Sequence, residues 1–131
     1  MGRTPRLFDK VYRTVQRAQE TAIAAMGPGI KVSDVDQAAR RIIAESGLPV
    51  YEHGTGHGIG LDIHEARALN PHASDTMKPG QIITVEPGIY MPGKLGIRLE
   101  DDVMITDKGP QVLTQACKHF QRLEDYNCLE R

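Results

Sequence analysis

A glycine-rich segment, His53–Glu65, limits the folds open to this chain more than any other feature. Four glycines occupy alternate positions from 54 to 60, and three histidines fall within the same short stretch. Glycines at this density are unfavourable in a helix and leave a bare backbone that a ligand can approach closely. The segment therefore marks a boundary. Helices are expected before it, and strands and loops are expected from Val50 onward.

Two amphipathic helices are predicted before this boundary. Apolar residues recur at intervals of three and four from Leu7 to Ala22, which predicts a helix that ends near the breaker cluster at residues 27–29. A second helix is predicted from an N-cap at Ser33 to a stop at Gly47. Its expected buried stripe consists of Val35, Ala38, Ala39, Ile42 and Ile43.

Short apolar runs between turns predict strands in the second half. One strand is expected at residues 81–85, after a turn at residues 78–80, and another runs continuously from Gly96 to Ile105. A turn at residues 107–110 then leads to a short strand at residues 111–113. The order of elements predicts an α+β fold, with two helices packed on a mainly antiparallel sheet.

The ends of the chain are expected to lie outside this core. Residues 1–6 are predicted to form an N-terminal arm, and residues 115–131 a polar tail that could be helical, with Phe120 and Leu123 as its apolar stripe. We expect residues 1–131 to form a single domain, because no linker or repeat divides them. Cys117 and Cys128 match no zinc motif, so they are expected to be reduced thiols.

Composition excludes several classes of protein. The 131 residues are 40% hydrophobic and 25% charged, which is typical of globular chains. A net charge of −1 without a basic cluster argues against nucleic-acid binding. No apolar run is long enough to span a membrane, and no apolar segment follows the basic N-terminus as in a secretory signal. We therefore expect a cytoplasmic protein that contacts neither membrane nor nucleic acid.

The three histidines of the glycine-rich segment admit two interpretations. A lone histidine is more often structural, whereas His53, His57 and His64 together favour a functional cluster. In an extended chain, His57 and His64 would stand about 23 Å apart. They can share a site only if the glycines fold the chain back, so one ligand and one outer base are favoured over two ligands.

Two glutamates, Glu86 and Glu100, lie within apolar runs downstream. Burying such a carboxylate is costly unless it is paired or bound to a metal, although it could also lie on the solvated face of a sheet. Glu100 is followed by Asp101 and Asp102, and three consecutive carboxylates repel one another. Arg98 could compensate part of this charge, and a divalent metal would compensate more.

Three segments together resemble the pita-bread (M24-type) metallopeptidases, a family that includes methionine aminopeptidase, Xaa-Pro aminopeptidase and Xaa-Pro dipeptidase. In the order of that family they are the segment from His57 to His64-Glu65, Val85-Glu86-Pro87-Gly88, and Arg98-x-Glu100-Asp101-Asp102. His53 and the sequences of residues 61–65 and 96–102 resemble those of the Xaa-Pro branch. The resemblance covers roughly residues 7–114 and implies the C-terminal half of a pita-bread catalytic domain.

The resemblance implies a metal site and its catalytic groups. His57, Glu86 and Glu100 correspond to metal ligands, with Glu100 between two ions. The implied cofactor is one or two divalent ions, foremost manganese, with cobalt, zinc or iron as alternatives. The implied catalytic residues are His53, His64 and Glu86, and the implied supporting residues are Arg98 and Asp62.

The implied reaction is metal-dependent hydrolysis of the bond before proline, in short peptides with proline at the second position. In the family, two further aspartate ligands precede the first of these helices, whereas Asp9, Asp34 and Asp36 lie in helical contexts without that motif. The resemblance therefore implies an incomplete site, and we expect a homodimer that covers the exposed sheet edges. The alternative is a non-catalytic relative that binds peptides or proteins, or a truncated fragment.

Overall fold

Two helices open the fold, and together they bury one side of the sheet that follows. The computed structural model describes residues 6–118. Helix α1 spans Arg6–Ala25 and helix α2 spans Val32–Glu45. The α1 side chains that are fully buried are Val11, Val15, Ala18, Gln19 and Ala22. The predicted apolar periodicity of this helix is therefore confirmed.

Helix α2 begins two residues earlier than an N-cap at Ser33 implies, so that predicted N-cap is wrong. The N-cap is Lys31, which is extended and makes no side-chain capping bond. The amide of Val32 instead donates to the carbonyl of Asp75 at 3.0 Å, so backbone pairing with a distant segment fixes the start. The predicted stop is confirmed, because Gly47 adopts a φ of 72° directly after the helix.

The buried stripe of α2 agrees with the prediction at three residues and differs from it at four. Val35, Ala39 and Ile43 are buried as expected, whereas Ala38 and Ile42 are only partly buried. The buried residues that the apolar pattern missed are Val32 and Asp36. A fully buried carboxylate in a helix requires hydrogen-bonding or charged partners. The partners of Asp36 lie beside the glycine-rich segment His53–Glu65.

Seven strands occur within the described residues, and every pairing between them is antiparallel. The strands are β1 (Gly56–Ile59), β2 (Glu65–Leu69), β3 (Ile82–Val85), β4 (Gly88–Met91), β5 (Leu95–Arg98), β6 (Asp101–Thr106) and β7 (Gly109–Val112). A five-stranded sheet has the order β2-β1-β3-β6-β7, and β4 and β5 form a separate ribbon. Side chains of both helices and both sheets share one apolar core. The predicted two helices on an antiparallel sheet are confirmed.

The prediction of one continuous strand from Gly96 to Ile105 is wrong. Strand β5 pairs with β4, where Gly88 lies opposite Arg98, and β6 pairs with β3 in the other sheet. The chain changes partner at residues 99–100, so Glu100 lies in the short connection between β5 and β6. An alternating apolar pattern reports the side-chain period but not a change of strand partner, so it joined the two strands.

The C-terminal predictions are tested only in part. Strand β7 overlaps the predicted strand at residues 111–113, and residues 113–118 form neither helix nor strand. The possible helix, with Phe120 and Leu123, lies outside the described residues, as does Cys128. Of the helices in residues 6–118, none combines the length and the apolar character that crossing a membrane demands.

Candidate active site

A tight hairpin brings two of the predicted histidines together. Strands β1 and β2 pair antiparallel, and residues 60–64 connect them. The Glu65 carboxylate closes this loop by accepting a hydrogen bond from the amide of Leu61 at 2.9 Å. As a result, the ring centroids of His57 and His64 lie 4.2 Å apart. The glycines do fold the chain back, which is the condition under which both histidines can serve one site.

The neighbouring strand places a predicted carboxylate opposite His57. Glu86 directly follows β3, the strand that pairs with β1. Its Oε1 atom lies 3.5 Å from His57 Nε2, and the two side chains are only 12% and 16% exposed. Backbone bonds fix this approach, because the Glu86 amide donates to the Thr55 carbonyl at 2.7 Å and the His57 amide donates to Thr84 Oγ1 at 3.0 Å.

The orientation of the His57 ring suits a metal ligand. Its Nδ1 atom lies 3.1 Å from the carbonyl oxygen of Gly58. A carbonyl only accepts hydrogen bonds, so the proton of the neutral ring resides on Nδ1 and the lone pair of Nε2 points towards Glu86. Metal-binding histidines commonly have this arrangement, in which the outer nitrogen donates to a carbonyl.

Arg98 links the two predicted glutamates. Its Nε atom lies 3.4 Å from Glu86 Oε2, and its Nη2 atom lies 3.5 Å from Glu100 Oε2. The Arg98 and Glu100 side chains are 51% and 43% exposed, so this end of the site is open to solvent. The structure thus brings His57, Glu86 and Glu100 into one row, with a guanidinium between the carboxylates.

The repulsion expected among residues 100–102 is relieved on two different faces. Asp101 points into the core, where its Oδ2 atom accepts a hydrogen bond from Lys118. Glu100 instead pairs with Arg98, and the amide of Asp102 donates to the hydroxyl of Thr114 at 2.9 Å. Sequence reasoning missed Lys118, since nothing in the polar tail distinguishes it from an exposed lysine.

The fit to a metal ion is good for a pair of ligands and partial for three. Across the described residues, no three His, Cys, Asp or Glu side chains converge closely enough to hold an ion. His57 and Glu86 fit as ligands, because the imidazole Nε2 atom and a carboxylate oxygen face each other in a mostly buried position. Glu100 lies on the far side of Arg98, so its role as a ligand stays a prediction.

The third histidine, His53, occupies a separate aromatic setting. Its ring stacks on Tyr51 with a centroid distance of 4.8 Å and meets Tyr90 edge-on at 5.5 Å. Its Nδ1 lies 2.7 Å from the Gly54 carbonyl, so the neutral ring accepts at Nε2 from the Tyr90 hydroxyl, 2.9 Å away. Tyr90, on β4, was not anticipated from the sequence, and no strand was predicted over residues 88–91.

The predicted supporting residue Asp62 lies at the tip of the hairpin. Its backbone carbonyl accepts a hydrogen bond from the Gly60 amide at 3.1 Å, which helps to close the loop. The residue is exposed, and among the described contacts none joins its side chain to the other site residues. Its supporting role therefore stays a prediction, whereas Arg98 touches the site directly.

A buried polar cluster, Asp36, Arg40, Tyr51 and Thr55, lies directly behind the histidine segment and is called here the α2 cluster. Asp36 accepts from Arg40 Nε at 2.6 Å and from the Thr55 hydroxyl at 2.6 Å. Burial, the largest effect, raises the pKa of Tyr51 from 10.0 to about 12, so its phenol stays protonated into the strongly basic range. An apolar-pattern search passes over Asp36 and Arg40, because an i,i+4 ion pair on a helix is usually exposed.

Sequence and structure comparisons place these features in a family. The chain matches the description "Metallopeptidase family M24" over residues 1–107, and it belongs to that family. A peptidase of Staphylococcus saprophyticus described as uncharacterized is 45% identical over 106 residues, which are 80% of this chain and 30% of that protein. The chain thus spans about a third of the length of the curated relatives that it matches, from 30% to 34%.

Solved structures agree with the fold. The X-Pro aminopeptidase of Thermotoga maritima superimposes with a TM-score of 0.86 at 35% identity, covering 91% of this chain and 34% of that one. The Xaa-Pro dipeptidase of Bacillus anthracis gives a TM-score of 0.87 at 37% identity, covering 92% and 34%. The fold is therefore that of part of a pita-bread catalytic domain, and the protein is peptidase-like.

Proposed function

We propose that this chain carries part of the active site of a metal-dependent peptidase that cleaves the bond preceding proline. The observation that carries the proposal is the approach of His57 Nε2 to within 3.5 Å of Glu86, with the His64 ring packed against His57. The names of the solved relatives, an X-Pro aminopeptidase and an Xaa-Pro dipeptidase, support the choice of substrate. The substrate class is short peptides with proline at the second position.

Each residue of the candidate site is assigned a role in this proposal. His57, Glu86 and Glu100 would hold one or two divalent ions, and manganese is our first choice over cobalt, zinc or iron. When bound, such an ion supplies Lewis acidity towards the scissile carbonyl. Glu86 would also act as a general base and acid, since its carboxylate is mostly buried beside the imidazole. To act as a third ligand, Glu100 would exchange its contact with Arg98 for the ion.

The histidines that do not bind metal handle the substrate in this proposal. His64 is exposed, so a peptide can reach it, and its ring contacts that of His57, one of the proposed metal ligands. It is therefore suited to carry a proton to the leaving group. His53 is assigned to the substrate carbonyl, and Tyr90 holds its ring in place.

A second candidate function is binding of peptides or proteins without catalysis. Arg98 favours it, because its guanidinium lies between Glu86 and Glu100 and compensates both carboxylates without a metal. A family member that had lost metal chemistry would need such a compensating cation. The two candidates differ in whether a divalent ion displaces Arg98 from the carboxylates.

Peptide hydrolysis with matched variants tests the proposal. We expect the chain, supplied with manganese, to cleave Gly-Pro peptides in preference to Gly-Ala peptides, and a chelator to abolish the cleavage. Glu86→Gln should abolish it as well, whereas Glu52→Gln, an exposed change outside the site, should not. Binding of the proline peptide without metal binding or hydrolysis would favour the second candidate. Cleavage that persists in excess chelator would contradict the metal-dependent reaction.

The quaternary state and location are part of the same proposal. We propose a cytoplasmic homodimer. The dimer is supported by the edge strands β2 and β7 and by the exposed apolar side chains of Leu61 and Ile63. Burying such edges and apolar side chains against a second copy stabilises association by about 25 cal/mol per Å² of apolar surface. Sedimentation that shows a monomer at high micromolar concentration would refute the dimer.

A further inference from the structure

Contacts from α2 hold the start of the glycine-rich segment His53–Glu65 in place. Arg40 Nη1 donates to the carbonyl of Tyr51 and Nη2 to the carbonyl of His53, both at 2.7 Å. Its guanidinium also lies 4.5 Å from the Tyr51 ring centroid. One planar fork therefore fixes two backbone carbonyls on either side of Glu52, and with them the direction in which the His53 ring leaves the chain.

The orientation of Arg40 depends in turn on Asp36. The Asp36 carboxylate is fully buried and accepts from Arg40 Nε through Oδ2. Its Oδ1 accepts from both the hydroxyl and the amide of Thr55, at 2.6 and 3.3 Å. Because a carboxylate only accepts, the Thr55 hydroxyl must receive its own bond from the Tyr51 phenol, 2.5 Å away. Both hydroxyl protons of the cluster, those of Tyr51 and Thr55, thus have a defined acceptor.

Thr55 connects the α2 cluster to the candidate site through backbone hydrogen bonds. Its carbonyl accepts from the Glu86 amide at 2.7 Å, and its amide donates to the Leu69 carbonyl at 2.6 Å. One residue therefore ties α2, β2 and the start of the Glu86 loop together, two positions before His57. A shift of Thr55 would move the His57–Glu86 pair, whose separation decides whether an ion fits.

We propose that Asp36 and Arg40 are positioning residues for the candidate active site: through Thr55 and the carbonyls of Tyr51 and His53, they set the placement of His53, His57 and Glu86. This inference rests on the proposed function for its consequence, a tuned metal site, but the clamp itself is a property of the unliganded chain. A cluster that merely stabilised the core would affect all core residues alike. A positioning cluster affects Glu86 and His57 first.

Paired substitutions in the 131-residue chain test the clamp. Thr55→Val removes the hydroxyl while keeping the shape, and Thr55→Ser restores the hydroxyl. Arg40→Lys keeps the charge but loses the fork, and Arg41→Lys, one residue on at an exposed position, is its control. The first readout is amide hydrogen exchange of Glu86 compared with amides in the middle of α1, without metal. The second is manganese affinity by calorimetry.

We expect Thr55→Val and Arg40→Lys to accelerate exchange at the Glu86 amide about tenfold or more while α1 is unchanged, with Thr55→Ser and Arg41→Lys resembling the parent chain. Manganese affinity should fall in parallel by about 10- to 100-fold, the usual effect of losing an outer support of a ligand. Unchanged exchange at Glu86, or equal acceleration throughout α1, would overturn the inference. If Thr55→Val does not fold, Arg40→Lys decides by the same criteria. If the parent chain binds no manganese, the metal function fails, and the exchange result still judges the clamp.

Discussion

Replacing Gly56 by alanine should separate the two strands that carry His57 and Glu86. An added Cβ would lie 1.7 Å from the carbonyl oxygen of Thr84, whereas real Cβ atoms stay beyond 3.0 Å. The strands must therefore part by roughly 1.3 Å, because the obstacle is backbone that cannot rotate away. Overpacking of this kind costs about 1–3 kcal/mol, and a backbone clash belongs at the upper end. Gly27→Ala is the matched control, since its nearest neighbour, Ile30 Cγ1, lies at an ordinary 3.7 Å.

Chemical and thermal unfolding of the two variants checks this prediction. Gly56→Ala should lower the free energy of unfolding by about 3 kcal/mol and the melting temperature by roughly 10 °C. Gly27→Ala should be neutral or slightly stabilising, by less than about 1 kcal/mol. Manganese binding should weaken in Gly56→Ala alone, since the His57–Glu86 spacing changes. A Gly56→Ala chain as stable as the parent would refute the close packing of β1 against β3.

Three further predictions address the site and its support. His64→Ala should reduce turnover of a proline peptide by about 10²-fold or more and manganese affinity much less, as measured by steady-state kinetics and calorimetry, because His64 moves protons rather than binds the ion; equal losses in both would contradict that role. Glu100→Ala should abolish most manganese binding in calorimetry, while Glu52→Ala should not, and an unchanged affinity would remove Glu100 from the ligand set. The pKa of Tyr51 is raised from 10.0 to about 12, so the folded state holds the phenol proton more tightly than the unfolded state. The free energy of unfolding should therefore fall between pH 10 and pH 12 by roughly 2–3 kcal/mol in denaturant titrations. Tyr51→Phe should remove this loss, and a fall in stability over the same pH range that persists in the variant would assign it to another group.

Local patterns predicted the two helices and strand β3 well because their causes are local, whereas β1, β2 and β4 had no predicted bounds. The apolar spacing of α1 and the glycine that stops α2 depend on residues within a few positions, and the structure confirms both. Errors arose where distant residues decide. The start of α2 is set by the carbonyl of Asp75, and the run from Gly96 to Ile105 divides because its halves pair with different strands.

The candidate site shows the same division. The motifs identify His57 and Glu86. The sequence shows that His64 can reach His57 only if the chain folds back, but it does not show that the chain does so. Tyr90 and the α2 cluster could not be found from the sequence, because their contacts join positions as many as 37 residues apart. Polar partners of this kind leave no periodic signal, and only the packed structure shows which carboxylate meets which hydroxyl.

An anomalous difference map from crystals of this chain grown with manganese tests the central claim most directly. The claim is that His57, Glu86 and Glu100 form the protein side of a divalent metal site. The account predicts an anomalous peak within bonding distance of His57 Nε2 and Glu86 Oε1, with the Glu100 carboxylate turned from Arg98 towards the ion. A map without a peak between His57 and Glu86, with Arg98 still joining both glutamates at saturating manganese, would contradict it.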